Sequence, residues 1–353
     1  MPILKWRQGE YLALERLPRD VKNYVLPLIE VPPLEWDFEE GKYAKDIDEH
    51  LERFISRLIK KWGKRKAFVD LHLIDPSFRM TDGTHPMKYV VTEVHKHKLD
   101  LIPVTGLSRD IDYQSAIRSG LTQPSKGVCL RLSINDLLKL TKMNNLDAFI
   151  RYFSLGINEL DLVLDLEAPD FNPVEQFARL LRDQLRNLPQ IKNVRSFTIA
   201  GSAFPNSMGQ LSLGIQTIER AEWNLFRQYC NQLTATERRP QFGDYAISHP
   251  ILPQLDMRLI KPAASLRYTI DDGWYIHKGI NVRDNGFSQY QSICSKLVKS
   301  QHYLGESYSP GDKYIKECSE GTATTGNLSV WRWVGTNHHI TKVIHDNANL
   351  GVL

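Results

Sequence analysis

Leu160-Asp-Leu-Val-Leu-Asp165 is a run of branched apolar residues interrupted only by carboxylates. It lacks the polar–apolar alternation of a half-solvated strand, and a run of this kind is the pattern of a strand covered on both faces, as in a parallel sheet. Similar short runs recur on either side. Toward the N-terminus they are Gly127-Val-Cys-Leu-Arg131-Leu-Ser133, Leu101 to Thr105, Ala67-Phe-Val-Asp70-Leu-His72, Leu26-Pro-Leu-Ile-Glu30-Val31 and Pro2-Ile-Leu-Lys-Trp6. Toward the C-terminus they are Ser196 to Gly201 and Phe242-Gly-Asp244-Tyr-Ala-Ile247.

Helical periodicity fills the gaps. Residues 8–16 are amphipathic, and residues 43–62 place Ile47, Leu51, Phe54, Ile55, Leu58 and Ile59 on one face. Further helices are predicted over 86–98, 113–119 with Gly120 as the stop, 172–188 and 211–233. Ser133 and Asp136 stand in a capping-box arrangement at the start of another. Eight strands joined by helices either open into a doubly wound sheet or close into a barrel. No Gly-x-Gly-x-x-Gly follows the first strand. Eight units in roughly 250 residues match the usual barrel size. The predicted class is therefore α/β, an eight-stranded β/α (TIM-like) barrel over residues 1–261.

The pattern changes after that point. Leu266-Arg-Tyr-Thr-Ile270 and Trp274-Tyr-Ile-His277 flank Asp271-Asp-Gly273, the signal of a hairpin. Helical stretches follow over 287–300, 311–320 and 327–345. Residues 262–353 read as a C-terminal hairpin-plus-helices extension packed on the barrel.

Composition narrows the functional classes. Of 353 residues, 42% are hydrophobic and 24% charged, ample for a globular core. The net charge of +4, with both signs interspersed, gives no electrostatic support for nucleic-acid binding. The cluster Lys60, Lys61, Lys64, Arg65 and Lys66 falls at a helix end, where cations favour the carbonyl dipole. Cys129, Cys230, Cys294 and Cys318 form no C-x-x-C pair. With no apolar run near the roughly 18 residues needed to span a bilayer and no secretory pattern, the expected location is the cytoplasm, away from membranes.

In β/α barrels the C-terminal strand ends converge on one mouth. The predicted ends carry Lys5 or Arg7, Glu30, Asp70 with His72, Thr105, Arg131, Asp165 with Glu167, Ser202 and Asp244. A charged side chain in a buried strand is costly unless paired. Such a mixture of carboxylates and cations suits three uses: binding a phosphate, holding a divalent cation, or pairing internally. His338-His339 with His345, and His95-x-His97, have the wrong spacing for a shared metal and read as packing or solvated histidines. No Walker loop, Gly-x-Ser-x-Gly elbow or His-Glu-x-x-His is present. No metal ligands and no cofactor are assigned.

Pro2-Ile-Leu-Lys-Trp-Arg-Gln-Gly-Glu-Tyr11 followed by Pro27-Leu-Ile-Glu30 resembles the opening of the satellite-phage beta protein family. Tyr308-Ser-Pro-Gly-Asp312, Gly326-Asn327, Trp331-Arg332 and His338-His339-Ile340 resemble its closing pattern. The resemblance implies a component of a prophage-encoded antiviral module that counteracts a Gop-like partner protein of the same module, one toxic to the bacterial host. It brings no catalytic residues with it. Two functions follow as expectations. One is a binding protein, with Trp331, Arg332, Trp333, His338 and His339 as the docking surface. The other is an enzyme acting on a phosphorylated or anionic small molecule or nucleotide, with Lys5 and Arg131 holding the anion and Asp70, Asp165, Glu167 or Asp244 as base or metal ligands.

Overall fold

A computed structural model of the chain describes residues 1–121, 126–143, 146–252 and 259–351. Eight parallel strands form one sheet in simple sequential order: β1 (Ile3–Leu4), β2 (Leu28–Glu30), β3 (Ala67–Asp70), β4 (Leu101–Thr105), β5 (Val128–Leu132), β6 (Leu160–Asp165), β7 (Ser196–Gly201) and β8 (Gln241–Asp244). The sheet is nearly closed into a barrel. A parallel bridge pairs Pro2 with Asp244, and the Asp244 N–H donates to the Met1 carbonyl at 3.1 Å. The result is a mixed α/β fold, with β6 buried at every position as its composition requires.

The helices between the strands follow their apolar stripes. Helix Ile47–Lys61 is capped by Asp46, whose carboxylate accepts the Glu49 N–H at 2.8 Å, and buries Ile47, Leu51, Phe54, Ile55 and Leu58. The predicted capping box is present: Ser133 Oγ accepts the Asp136 N–H at 3.1 Å, and Asp136 accepts the Ser133 N–H at 3.1 Å. Asp161, fully buried in β6, is matched by Arg195 and by the Ser196 hydroxyl at 2.6 Å.

Two features depart from the sequence reading. Residues 36–37 and 42–43, just before the helix that was expected to begin at 43, form a small antiparallel hairpin. The helix expected over 211–233 is instead strand Gly214–Glu219 followed by helix Ala221–Asn231. Ile215, Thr217 and Ile218 are β-branched, which disfavours helix, and Gly214 sits at φ +95°.

By their internal contacts the residues fall into two compact units. The first comprises Met1–Trp6, Leu26–Gly201 and Leu225–Asp244, and holds all eight strands. The second comprises Arg7–Val25, Ser202–Asn224 and Tyr245–Leu353. Its sheet has three antiparallel strands, with Gly273–Asn281 between Gly214–Glu219 and Ala263–Thr269. The expected hairpin is the pair 263–269 and 273–281. Helix Gln8–Arg16 packs against the long helix Leu328–Asn349, so an early segment of the chain groups with the late ones.

That helix pair depends on one glycine. A Cβ on Gly9 would lie 2.4 Å from both Cβ and Cγ of Arg332 and 3.0 Å from the Ser329 carbonyl. Gly9→Ala therefore forces the helices apart. The overpacking, about 1–3 kcal/mol, exceeds the gain of up to about 1 kcal/mol in helix propensity. Gly9→Ala is expected to unfold at lower urea concentration than the wild type, and an unchanged or higher midpoint would refute the close approach.

Candidate functional site

The C-terminal strand ends of the first unit converge on one cation, the Arg131 guanidinium at the end of β5. Its Nη1 lies 2.9 Å from Glu30 Oε1 and 2.9 Å from Asp70 Oδ2. Its Nε and Nη2 donate to Asp165 Oδ2 at 2.9 and 2.6 Å. Glu30, Asp70 and Asp165 end β2, β3 and β6, so one side chain joins the ends of four strands. All three carboxylates are buried.

Further groups complete the cluster. Lys5, itself buried, stands 4.0 Å from Glu30 Oε2. His72 Nε2 donates to Glu30 Oε1 at 2.7 Å, while its backbone N–H donates to Asp70 Oδ1 at 3.0 Å. Arg109, from the loop after β4, reaches both Asp70 oxygens at 3.2 Å. The Tyr113 hydroxyl donates to the Val104 carbonyl at 3.0 Å and accepts the Leu71 N–H at 3.2 Å. Three carboxylates thus face three permanent cations, and the centre that a divalent ion would need is filled by a guanidinium.

The charges set the protonation states. Burial alone would raise Glu30, but the His72 hydrogen bond and the charges of Arg131, His72 and Lys5 outweigh it and hold the carboxyl at about 2. For Asp70, burial is likewise overcome, by Arg109, His72 and Arg131, and its pKa is also about 2. Both therefore stay ionised far below neutrality. The Tyr113 phenol is pushed up by burial beside Asp70 and stays protonated.

The other residues expected at the mouth have different surroundings. Glu167 is exposed; its backbone N–H donates to Asp165 Oδ1 at 2.9 Å and its φ is +58°. Trp6 likewise lies two residues beyond its strand end with φ +49°, a strained conformation for a bulky side chain. Asp244 is buried where β8 meets the first residues. Thr105 is buried at the end of β4, and its hydroxyl has no hydrogen-bond partner among the described residues. Ser202 and Arg7 belong to the second unit. There the Ser202 hydroxyl donates to the Ser248 carbonyl at 3.0 Å and accepts the Phe204 N–H at 3.1 Å.

Of the expected docking residues, Trp331, Trp333, His338 and His339 are buried and Arg332 is half-buried, so together they do not form an exposed surface. Trp331 stacks on Tyr290 with ring centres 4.2 Å apart and donates to the Thr325 carbonyl at 2.8 Å. Trp333 is buried, with an edge contact to Tyr314 and the Arg16 guanidinium 4.3 Å from its ring centre. Arg332 donates to Ser248 Oγ at 2.8 Å. His338 lies between Asp312 Oδ2 and the Thr269 carbonyl, each at 2.8 Å, and stacks on Tyr268. His339 Nδ1 is 2.8 Å from Thr269 Oγ1. Aromatic and histidine residues at these positions form the polar core of the second unit and offer no free face to a partner.

Arg109 and Tyr113 were missed in the sequence because a loop arginine after a strand has no periodic signature. The signal available was Asp70 itself, a buried carboxylate that needs more than one partner. Among the described residues, no three His, Cys, Asp or Glu side chains are placed to share a metal ion, and no helix is long and apolar enough to cross a membrane. All four cysteines are free.

Together these features define a class: an α/β barrel protein in which the charged ends of β2, β3, β5 and β6 are gathered into one buried, self-neutralising cluster. The sequence matches the Beta protein family over residues 1–345, and the chain belongs to that family. No curated protein matches it.

The cluster has a measurable signature. Glu30 and Asp70 have folded-state pKa values of about 2, below their ordinary 4.5 and 3.8, so their contribution is complete above about pH 4.5. It is lost as pH falls through that window toward 2, where the unfolded chain binds protons that the folded chain does not. Arg131→Met removes the shared cation and is expected to cost about 3–5 kcal/mol at neutral pH, because three buried carboxylates each lose one charged partner. In that variant acidification should narrow the deficit, since protonation relieves the unpaired charge. Urea titrations at pH 7 and near pH 4 measure this, and a deficit that does not shrink would sink the assignment.

Proposed function

We propose that the protein is a binding component rather than an enzyme: a TIM-like barrel scaffold that counteracts a toxic partner protein by direct contact. The setting is the one that the satellite-phage resemblance of its opening and closing segments implies, an antiviral module carried by a prophage in the bacterial cytoplasm. The observation that carries this reading is the Arg131 cluster. A general base works best with a pKa near the operating pH, and Glu30 and Asp70 are held at about 2. The focus of the three carboxylates is already occupied by the protein's own guanidinium. Such a mouth ties strand ends together and leaves contact with a partner to the outer surface.

One observation favours a second reading. A cavity of about 240 Å³ opens beside the cluster, lined by His72, His85, Ser108, Arg109 and Tyr113 among others. The Arg109 Nε is buried there without a hydrogen-bond partner among the described residues. A small phosphorylated or otherwise anionic ligand would suit that guanidinium, with His72 as the proton-transfer group of an enzyme.

The two readings separate on one substitution. His72→Gln keeps a hydrogen-bond donor toward Glu30 and removes the imidazole. Co-expressed with the toxic partner, both the wild type and His72→Gln are expected to restore growth and to co-elute with the partner on size-exclusion chromatography. Rescue by the wild type without co-elution, lost in a His72→Gln variant of unchanged circular dichroism, would overturn the binding reading in favour of chemistry at the mouth.

A further inference from the structure

The sequence Glu35-Trp-Asp-Phe-Glu-Glu-Gly-Lys-Tyr43 follows β2 and its Pro32-Pro33 exit. It folds into a hairpin in which Trp36 pairs with Tyr43 and Asp37 with Lys42. Asp37 Oδ1 accepts the N–H groups of Glu39 and Glu40 at 2.8 and 3.0 Å, and Gly41 takes the left-handed conformation at φ +63° that closes the turn. The Glu35 carbonyl accepts the Ala44 N–H at 2.9 Å below the pair. The loop is short and internally braced, so its side chains are displayed in a defined arrangement.

What it displays is unusual for a surface turn. Trp36, Phe38 and Tyr43 are 42%, 47% and 42% exposed. The Trp36 and Tyr43 rings meet edge to face at 5.0 Å, and Tyr43 meets Phe78 of the loop after β3 at 5.3 Å. A two-stranded hairpin this short buries little, so nearly half of the aromatic area it carries stays in water and gains nothing from folding. Exposed aromatics gathered in one place mark interaction surfaces far more often than single exposed apolar residues do. Residues 35–43 are predominantly acidic, with Glu35, Asp37, Glu39 and Glu40 against Lys42, in a chain whose net charge is +4.

We propose that this acidic aromatic hairpin is a docking surface for a basic segment of a partner protein, one that presents Arg or Lys side chains beside an apolar anchor. Trp36 and Tyr43 supply faces for cation–π contact, and Phe38 at the turn supplies the apolar contact. The surrounding carboxylates steer a cationic segment to the rings and repel an acidic one. The inference rests on the binding reading in taking the toxic protein as the partner, but the surface itself is tested without that assumption.

The experiment has two arms on the full-length chain. In the first, affinity for the purified toxic partner is measured by biolayer interferometry at low and high salt. The chains are wild type, Trp36→Ala/Phe38→Ala and Glu35→Lys/Glu39→Lys, each checked for an unchanged thermal melt. Both variants are expected to bind at least about tenfold more weakly, with the wild-type affinity falling as salt rises. If the wild type binds and both variants match it within about twofold, the hairpin is not the surface, while the binding reading survives.

In the second arm, a fluorescent peptide of alternating Arg and Leu and a Glu–Leu counterpart are titrated against the same three chains. Preference of the wild type for the Arg–Leu peptide, lost in both variants, supports the surface even if the toxic partner does not bind. That last outcome would sink the binding reading alone. No preference for the cationic peptide overturns the inference.

Discussion

A single guanidinium organises the first unit. From the end of β5, Arg131 reaches Glu30, Asp70 and Asp165, and through them the ends of β2, β3 and β6. Each carboxylate sits where burial would penalise its charge, and each is tolerated because the shared cation and its neighbours satisfy it. The arrangement is mutual: removing the cation takes a partner from three buried carboxylates, and removing one carboxylate leaves part of the guanidinium unmatched. Lys5, His72 and Arg109 extend the same logic outward until the cluster reaches the cavity beside it.

That constraint shapes what the protein can do. Glu30 and Asp70, held in ion pairs, stay ionised at neutral pH, and the proposed frame role rests on that. The second unit repeats the strategy with different groups. Asp312 accepts the Tyr268 hydroxyl at 2.7 Å and the Ser309 hydroxyl at 2.6 Å and pairs with His338 of helix Leu328–Asn349, all four residues buried. Burial would raise the Asp312 carboxyl, but the His338 charge and these hydrogen bonds keep it below its ordinary value. Each unit thus holds a buried charge cluster satisfied by its own side chains, and the exposed aromatic hairpin at 36–43 lies outside them.

Much of this was legible in the chain because it is written in local periodicity. Helix Gln8–Arg16 was read with the ends it has, and the runs at 67–70, 101–105, 128–132, 160–165 and 196–201 are strands because branched apolar residues cluster there. The charged residues at the strand ends were visible for the same reason: a carboxylate or guanidinium stands out against an apolar run. The hairpin at 36–43 and strand Gly214–Glu219 were not visible. Each is too short, or too evenly polar, to show a period, and the latter exists through its pairing with Gly273–Asn281, some sixty residues away.

The sequence by itself determined the alternation of strands and helices, the eight runs that line up in order, and the set of charged residues that had to find partners. Only the tertiary structure decided which partners those were. Whether Lys5, Arg131 and three carboxylates hold a ligand or hold one another depends on distances between strand ends far apart in the chain, and no spacing along the chain encodes them. The same holds for Trp331, Trp333 and His338. As residue types they suit an interface or a core equally well, and it is the packing of Tyr290, Tyr314 and Asp312 against them that makes them core. Local propensity acts over a few residues, while burial and ion pairing are settled by whichever segments the fold brings together.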